Sequence, residues 1–120
     1  MGNTAQTDDR PLAVTMGCPA GIGPEIICRL FSRADAHRDG PAIVVGDPGM
    51  LGRAAEQLGI TLELVRWRPG DPIRSGTLQV CLTTPFDSDA VTWGRPDAAT
   101  GRAMAGWIEP AVRRTRDGIC

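Results

Sequence analysis

One histidine, His37, is the only imidazole in this 120-residue chain, and no two of its four cysteines, Cys18, Cys28, Cys81 and Cys120, form a CxxC pair. A histidine-rich metal cluster and a paired-thiolate zinc site are therefore both excluded within this sequence, and four scattered cysteines are too few for a disulfide scaffold. Reduced thiols are expected, with Cys28 and Cys81 as small core residues among apolar neighbours. His37 lies in the polar stretch 33–39 and reads as a solvated loop residue, not a ligand. No apolar run approaches the roughly 18 residues that span a bilayer. The first ten residues are too polar for a signal peptide and read as a disordered leader, so the expected location is the cytoplasm, with no membrane partner. Thirteen basic residues against fourteen acidic ones leave a net charge of -1, without a basic run to follow a phosphate backbone. Nucleic acid is not an expected partner.

What is present is ordinary for a globular chain, with 42% hydrophobic and 22% charged residues. Leu12 to Met16 is a short apolar run suited to a buried strand, and Gly23-Pro24-Glu25 then opens a helix. Ile26, Ile27, Leu30 and Phe31 are expected on one apolar face of that helix, which should fade near Ala34 to His37. Ala42 to Gly46 repeats the buried-strand pattern. Asp47-Pro48 supplies a cap and a first-turn proline for a helix carrying Met50, Leu51, Ala54, Ala55 and Leu58, closed by Gly59. Thr61 to Trp67 predicts a third strand with the least clear period, 68–72 a surface loop, and Leu78 to Leu82 a fourth strand. After a long connection, Asp97 is a plausible N-cap for a helix to about Asp117, with Met104, Trp107, Ile108, Ala111 and Val112 on one face. Pro110 should kink or break it near 106–110. Trp67, Trp93 and Trp107 read as packing anchors or, in a fragment, exposed patches. Alternating strands and helices predict an α/β fold with a mainly parallel sheet. Gly118 reads as a helix cap and Ile119-Cys120 as the start of another strand, so residues 11–120 are expected to be the first part of an α/β domain, truncated before that strand.

The informative stretch is Thr15-Met-Gly-Cys-Pro-Ala-Gly-Ile-Gly-Pro-Glu-Ile26, a glycine- and proline-rich loop between a buried strand and a helix start. Gly17, Gly21 and Gly23 allow close backbone approach, and free N–H groups at a helix N-terminus favour an anion. The spacing fits neither the dinucleotide GxGxxG nor the P-loop, so a tight turn with nothing bound is an equal reading on spacing alone.

This segment resembles the Gly-Asp-Pro-Ala-Gly-Ile-Gly-Pro-Glu signature of the 4-hydroxythreonine-4-phosphate dehydrogenase family, differing only at Cys18. The stretch Asp97 to Val112 is similar to the family's Ser-Gly-Arg/Lys-Ala helix. The resemblance implies the isocitrate and isopropylmalate dehydrogenase-like α/β/α fold, only the first part of which is present, and a homodimer in which two subunits complete each other's sites. It also implies NAD- or NADP-dependent oxidation of a phosphorylated hydroxy acid, followed by decarboxylation, in the route to pyridoxal phosphate. A divalent metal (zinc, magnesium or cobalt) would polarise the hydroxyl and the emerging ketone.

Two departures matter. Cys18 puts a neutral thiol where the family has a carboxylate, and it reads as a tolerated turn residue, not a nucleophile. The family holds its metal through several histidines and its substrate through a His-Thr pair, whereas this chain has His37 alone. No catalytic and no metal-ligating residue is therefore assigned in this chain. Gly17, Gly21, Ile22 and Gly23 are the candidate cofactor-binding residues, and Arg102, at the family's basic helix position, is the candidate substrate-binding residue. Asp47 is sufficiently explained as a cap and Glu109 as a solvent-facing charge. The expectation is a dehydrogenase fragment inactive alone. The alternatives are a non-catalytic nucleotide-binding or subunit-interface module, or an inactive remnant.

Overall fold

A computed structural model describes residues 10–81 and 85–120. The expected leader, apart from Arg10, and the expected end of the fourth strand at Leu82 lie outside the described residues. Four strands alternate with helices: β1 (Leu12–Thr15), α1 (Gly23–Phe31), β2 (Ala42–Val45), α2 (Pro48–Leu58), β3 (Glu63–Arg66), β4 (Thr77–Cys81) and α3 (Ala98–Arg116), with a short 3-10 turn at Ser88–Ala90 before α3. All neighbours are parallel, in the order β1-β2-β4-β3. Every β2 residue is buried, as an unbroken apolar run at the centre of a parallel sheet requires, and β4 is nearly so although it buries the polar Gln79.

The order has a consequence for the helices. The steps β1 to β2 and β2 to β3 run the same way across the sheet, so right-handed crossovers put α1 and α2 on one face, where they pack on each other. The return from β3 to β4 reverses direction through the helix-free segment 67–76, and α3 packs against β1 and β2. Trp67 and Trp107 are core anchors at 3% and 1% exposure.

Three helix expectations are corrected. The predicted apolar face of α1 splits: Ile27 and Phe31 are buried, but Ile26 and Leu30 remain 54% and 43% exposed. Positions 27 and 31 form one i, i+4 stripe and 22, 26 and 30 another about 100° away, and only the first is buried in the core. The helix also stops at Phe31, earlier than expected, where Ser32 donates its hydroxyl to Arg29 O at 2.9 Å. In α3 the expected break is absent, since the helix runs unbroken through Pro110. An interior proline costs roughly 3 kcal/mol. Truncating a buried tryptophan costs about 3–5 kcal/mol. Trp107, edge-on to Phe86 at 5.6 Å, and Ala111 anchor the helix on both sides of the proline and outweigh its cost. Gly118 caps α3 with φ +77°. Ile119 and Cys120 do not form a strand, because both amides close onto Arg114 O.

His37 also departs from the solvated reading. Its Nδ1 accepts the Ala42 N–H at 3.2 Å, at the start of β2, and its ring lies 5.5 Å from that of Phe31. Burial pushes its pKa below the ordinary 6.5. The unfolded chain therefore takes up this proton first, so stability is fully present above about pH 6.5 and falls as the pH drops through that value towards the folded pKa. Denaturant midpoints measured between pH 7.5 and 5.5 should decline less in His37→Gln, which keeps an acceptor but does not titrate, than in the wild type. Equal declines would refute this role.

Candidate functional site

A parallel sheet sends the loops after β1, β2 and β4 to the same edge, the carboxyl rim where α/β proteins bind ligands. At this rim the glycine-rich motif turns sharply, with Gly21 N–H donating to Cys18 O at 3.0 Å and Gly17 at φ +75°. Met16 is 1% exposed beneath it. A Cβ on Gly23 would lie 2.0 Å from Met16 O, and one on Gly46, after β2, would lie 2.7 Å from Met16 Cβ. Gly23 is thus required by packing, whatever the loop binds. Around Gly17 the space is open, a Cβ on Gly21 would make an ordinary 3.5 Å contact with Cys18 O, and Ile22 is 68% exposed. The α1 N-terminus carries no side-chain cap, and Pro24 removes one donor there. By contrast, Asp47 accepts from Met50 N at 2.9 Å, and Asp97 with Thr100 forms a reciprocal capping box. Burial raises the Asp47 pKa against the pull of its backbone hydrogen bonds, and the side chain's cap role is as expected from sequence.

The loop before α3 is fixed to this rim by Arg53, which the sequence reading did not single out. Its guanidinium donates to Ser88 O and, at 3.1 Å, to Val91 O, and lies 5.1 Å from the centre of the Trp93 ring. Ser88 sits directly on the first turn of α2, where a Cβ on Gly49 would be 2.4 Å from Ser88 Oγ. Gly94 N–H then donates to Ala20 O at 2.8 Å, tying the same loop to the glycine motif. The one sequence signal for this clamp is a lone arginine within the apolar run of α2, between Leu51 and Ala54.

Between this loop and the start of α3 lies a cavity of about 360 Å³, lined by Phe86, Val91, Asp97, Arg102 and Ala103 among others. Asp97 is engaged as a cap, whereas Arg102 has neither a hydrogen bond nor an ion pair among the described residues. None of the motif glycines lines this cavity, so the candidate cofactor and substrate residues share a rim but not a pocket. Among the described residues no three His, Cys, Asp or Glu side chains gather as metal ligands would. Cys28 and Cys81 are buried core thiols, pushed up in pKa by that burial, and Cys28 donates to Leu51 O at 3.3 Å. Glu109 is surface-exposed and pairs with Arg113 at 2.7 Å.

Two substitutions separate packing from surface roles. Gly23→Ala should destabilise the fold by about 3 kcal/mol or more, because backbone must move, whereas Gly21→Ala should stay within about 1 kcal/mol; chemical denaturation compares them. Arg53→Ala removes two charge-assisted hydrogen bonds and a ring contact, and should cost about 2–4 kcal/mol. Backbone amides in 85–95 should exchange faster in that variant than those of β2. Uniform acceleration across the chain would contradict a local clamp.

No protein-family model matches the chain. It is 39% identical over 106 residues to a 4-hydroxythreonine-4-phosphate dehydrogenase of Desulfosudis oleivorans, a match covering 86% of this chain and 31% of that protein. The crystal structure of a 4-hydroxythreonine-4-phosphate dehydrogenase from Burkholderia phymatum superposes with a TM-score of 0.80 at 25% identity, covering 89% of this chain and 33% of that one. A terephthalate 1,2-cis-dihydrodiol dehydrogenase from Burkholderia xenovorans superposes at 0.65, also at 25% identity, covering 92% and 31%. The chain spans about a third of the length of the relatives it matches. Over that third it is homologous in sequence, and alike in fold, to the 4-hydroxythreonine-4-phosphate dehydrogenases.

Proposed function

We propose that this chain is the N-terminal part of an NAD(P)- and divalent-metal-dependent dehydrogenase. The intact enzyme oxidises 4-phosphooxy-threonine, or a related phosphorylated four-carbon hydroxy acid, and so leads to its decarboxylation. The observation that carries this reading is the motif Thr15 to Ile26, seated at the carboxyl end of β1 and leading into an uncapped helix N-terminus. The sequence match to dehydrogenases of that name supports it. Structural likeness to a dihydrodiol dehydrogenase leaves the substrate to be chosen by the rest of the protein.

In this reading the open rim at Gly17, Gly21 and Ile22 offers backbone to the cofactor, while Gly23 serves the turn that presents it. A nicotinamide cofactor held there would supply a hydride acceptor for oxidation of the hydroxyl-bearing carbon. Arg102 would supply a positive charge to an anionic group of the substrate from the wall of the neighbouring cavity. The residues described here do not fit a metal, so its ligands are assigned to the remainder of the polypeptide and no step is derived through it. Dimerisation and a cytoplasmic location belong to the same proposal. No helix among the described residues is long and apolar enough to cross a membrane.

The test is an assay of NAD(P)H formation with 4-phosphooxy-threonine, with and without added zinc, magnesium or cobalt. The 120-residue chain should show no turnover, and the product of the longer reading frame should turn over in a metal-dependent way. Turnover by the short chain would overturn the placement of the catalytic groups. An inactive long product would favour a binding module.

A further inference from the structure

The return from β3 to β4 runs opposite in direction to the earlier crossovers, so right-handedness carries segment 67–76 over the sheet face away from α1 and α2. Side chains alternate along a strand, and the parallel register sets Glu63 beside Thr77 and Val65 beside Gln79 on that face. Between these strands and the returning segment lies a groove of about 220 Å³, with Glu63, Arg66, Asp71, Arg74, Thr77 and Gln79 in its wall.

Gln79 is 3% exposed, a polar side chain held between Leu78 and Val80 in a buried strand. Its Nε2 donates to Thr77 Oγ1 at 2.7 Å, and the Thr77 hydroxyl donates onward to Arg74 O at 2.8 Å. A hydroxyl has one proton, and this one is committed to the carbonyl, so Thr77 can only accept from Gln79. The amide nitrogen is thereby assigned to Thr77 and the oxygen is left over. Gln79 Oε1 is buried and has no hydrogen-bond partner among the described residues. Native structures rarely leave a buried acceptor empty, and this one calls for an N–H or O–H donor from a bound molecule.

The charges in the same wall indicate what carries that donor. Glu63, Arg66 and Arg74 form no ion pair among the described residues. Asp71 is fixed in place, since Arg68 N–H donates to its Oδ2 at 2.9 Å and Trp67 Nε1–H to its carbonyl at 3.1 Å. Two cations and two anions therefore line one groove without pairing with each other. A simple anion or a metal cation would meet two like charges there, whereas a ligand bearing both signs finds a partner for each. At roughly 30 Å³ per water the groove has room for about seven waters, which is space for a small molecule and too little for a nucleotide.

We propose that the groove beneath the 67–76 return binds a small α-amino acid as its zwitterion. Its ammonium donates to Gln79 Oε1, with Glu63 and Asp71 balancing the charge, and its carboxylate faces Arg66 and Arg74. The groove shares no residue with the cavity of Arg102 and none with the glycine-rich rim, so the proposal stands independently of the dehydrogenase reading.

The test is an NMR titration of the 120-residue chain with L-serine, followed through the Gln79 side-chain amide and the backbone amides of 63–79. These signals should shift saturably, with half-saturation below about 10 mM. Sodium acetate and ethylammonium chloride each carry one of the two charges and should bind at least about tenfold more weakly. Gln79→Met keeps the length of the side chain and removes the empty acceptor, so it should weaken serine binding at least about tenfold. Should that variant fail to fold, Arg74→Gln, at an exposed position, should weaken it by a similar factor. The absence of a saturable shift would mean that the buried oxygen meets only water, and would overturn the proposal. Acetate or ethylammonium binding as tightly as serine would make this a simple ion site and overturn it too, as would serine binding that survives the substitutions.

Discussion

Met16 follows β1 with its side chain buried, and the chain passes over it twice at distances only glycine permits: Gly23 against its carbonyl and Gly46 against its Cβ. This contact fixes where α1 begins relative to the sheet and brings the ends of β1 and β2 together. The motif's turn is thereby presented at the rim with Gly17 facing open space. The same glycine-rich sequence that invites a ligand reading is, at Gly23, a packing requirement. The two roles fall on different glycines of one loop.

From that rim the loop before α3 is held by polar contacts instead of by a core of its own. Arg53 takes two of its carbonyls and the face of Trp93, and the motif accepts its Gly94 N–H. Backbone groups in an irregular segment need partners, and a guanidinium with several fixed donors can serve two carbonyls at once. The side of the cavity formed by Phe86 and Val91 is therefore positioned from α2, while α3 supplies Arg102 to the opposite side.

Much of this was legible in the sequence where local chemistry decides. Asp47 and Asp97 cap the helices they were expected to cap, Ala42–Val45 is the buried central strand its composition implied, and the parallel α/β class follows from the alternation of elements. Where tertiary contacts decide, the sequence was silent or misleading. The insertion of β4 between β2 and β3 leaves no local trace. Pro110 sits in an unbroken helix because Trp107 and Ala111 are anchored. Ile26 and Leu30 look like core on a helical wheel and are exposed, since α1 has two apolar stripes and only the one carrying Ile27 and Phe31 is buried. His37 and Arg53 act through backbone partners distant in sequence or set by a loop's path, which residue type alone does not reveal.

Similarity covers about a third of the length of the matched dehydrogenases, and the proposal drawn from it is that a longer polypeptide carries the metal ligands. Reading the coding DNA through the codon for Cys120 in the same frame tests it most directly. The account predicts that the frame continues and encodes histidines, together with an apolar strand soon after Gly118. An immediate stop codon would contradict it.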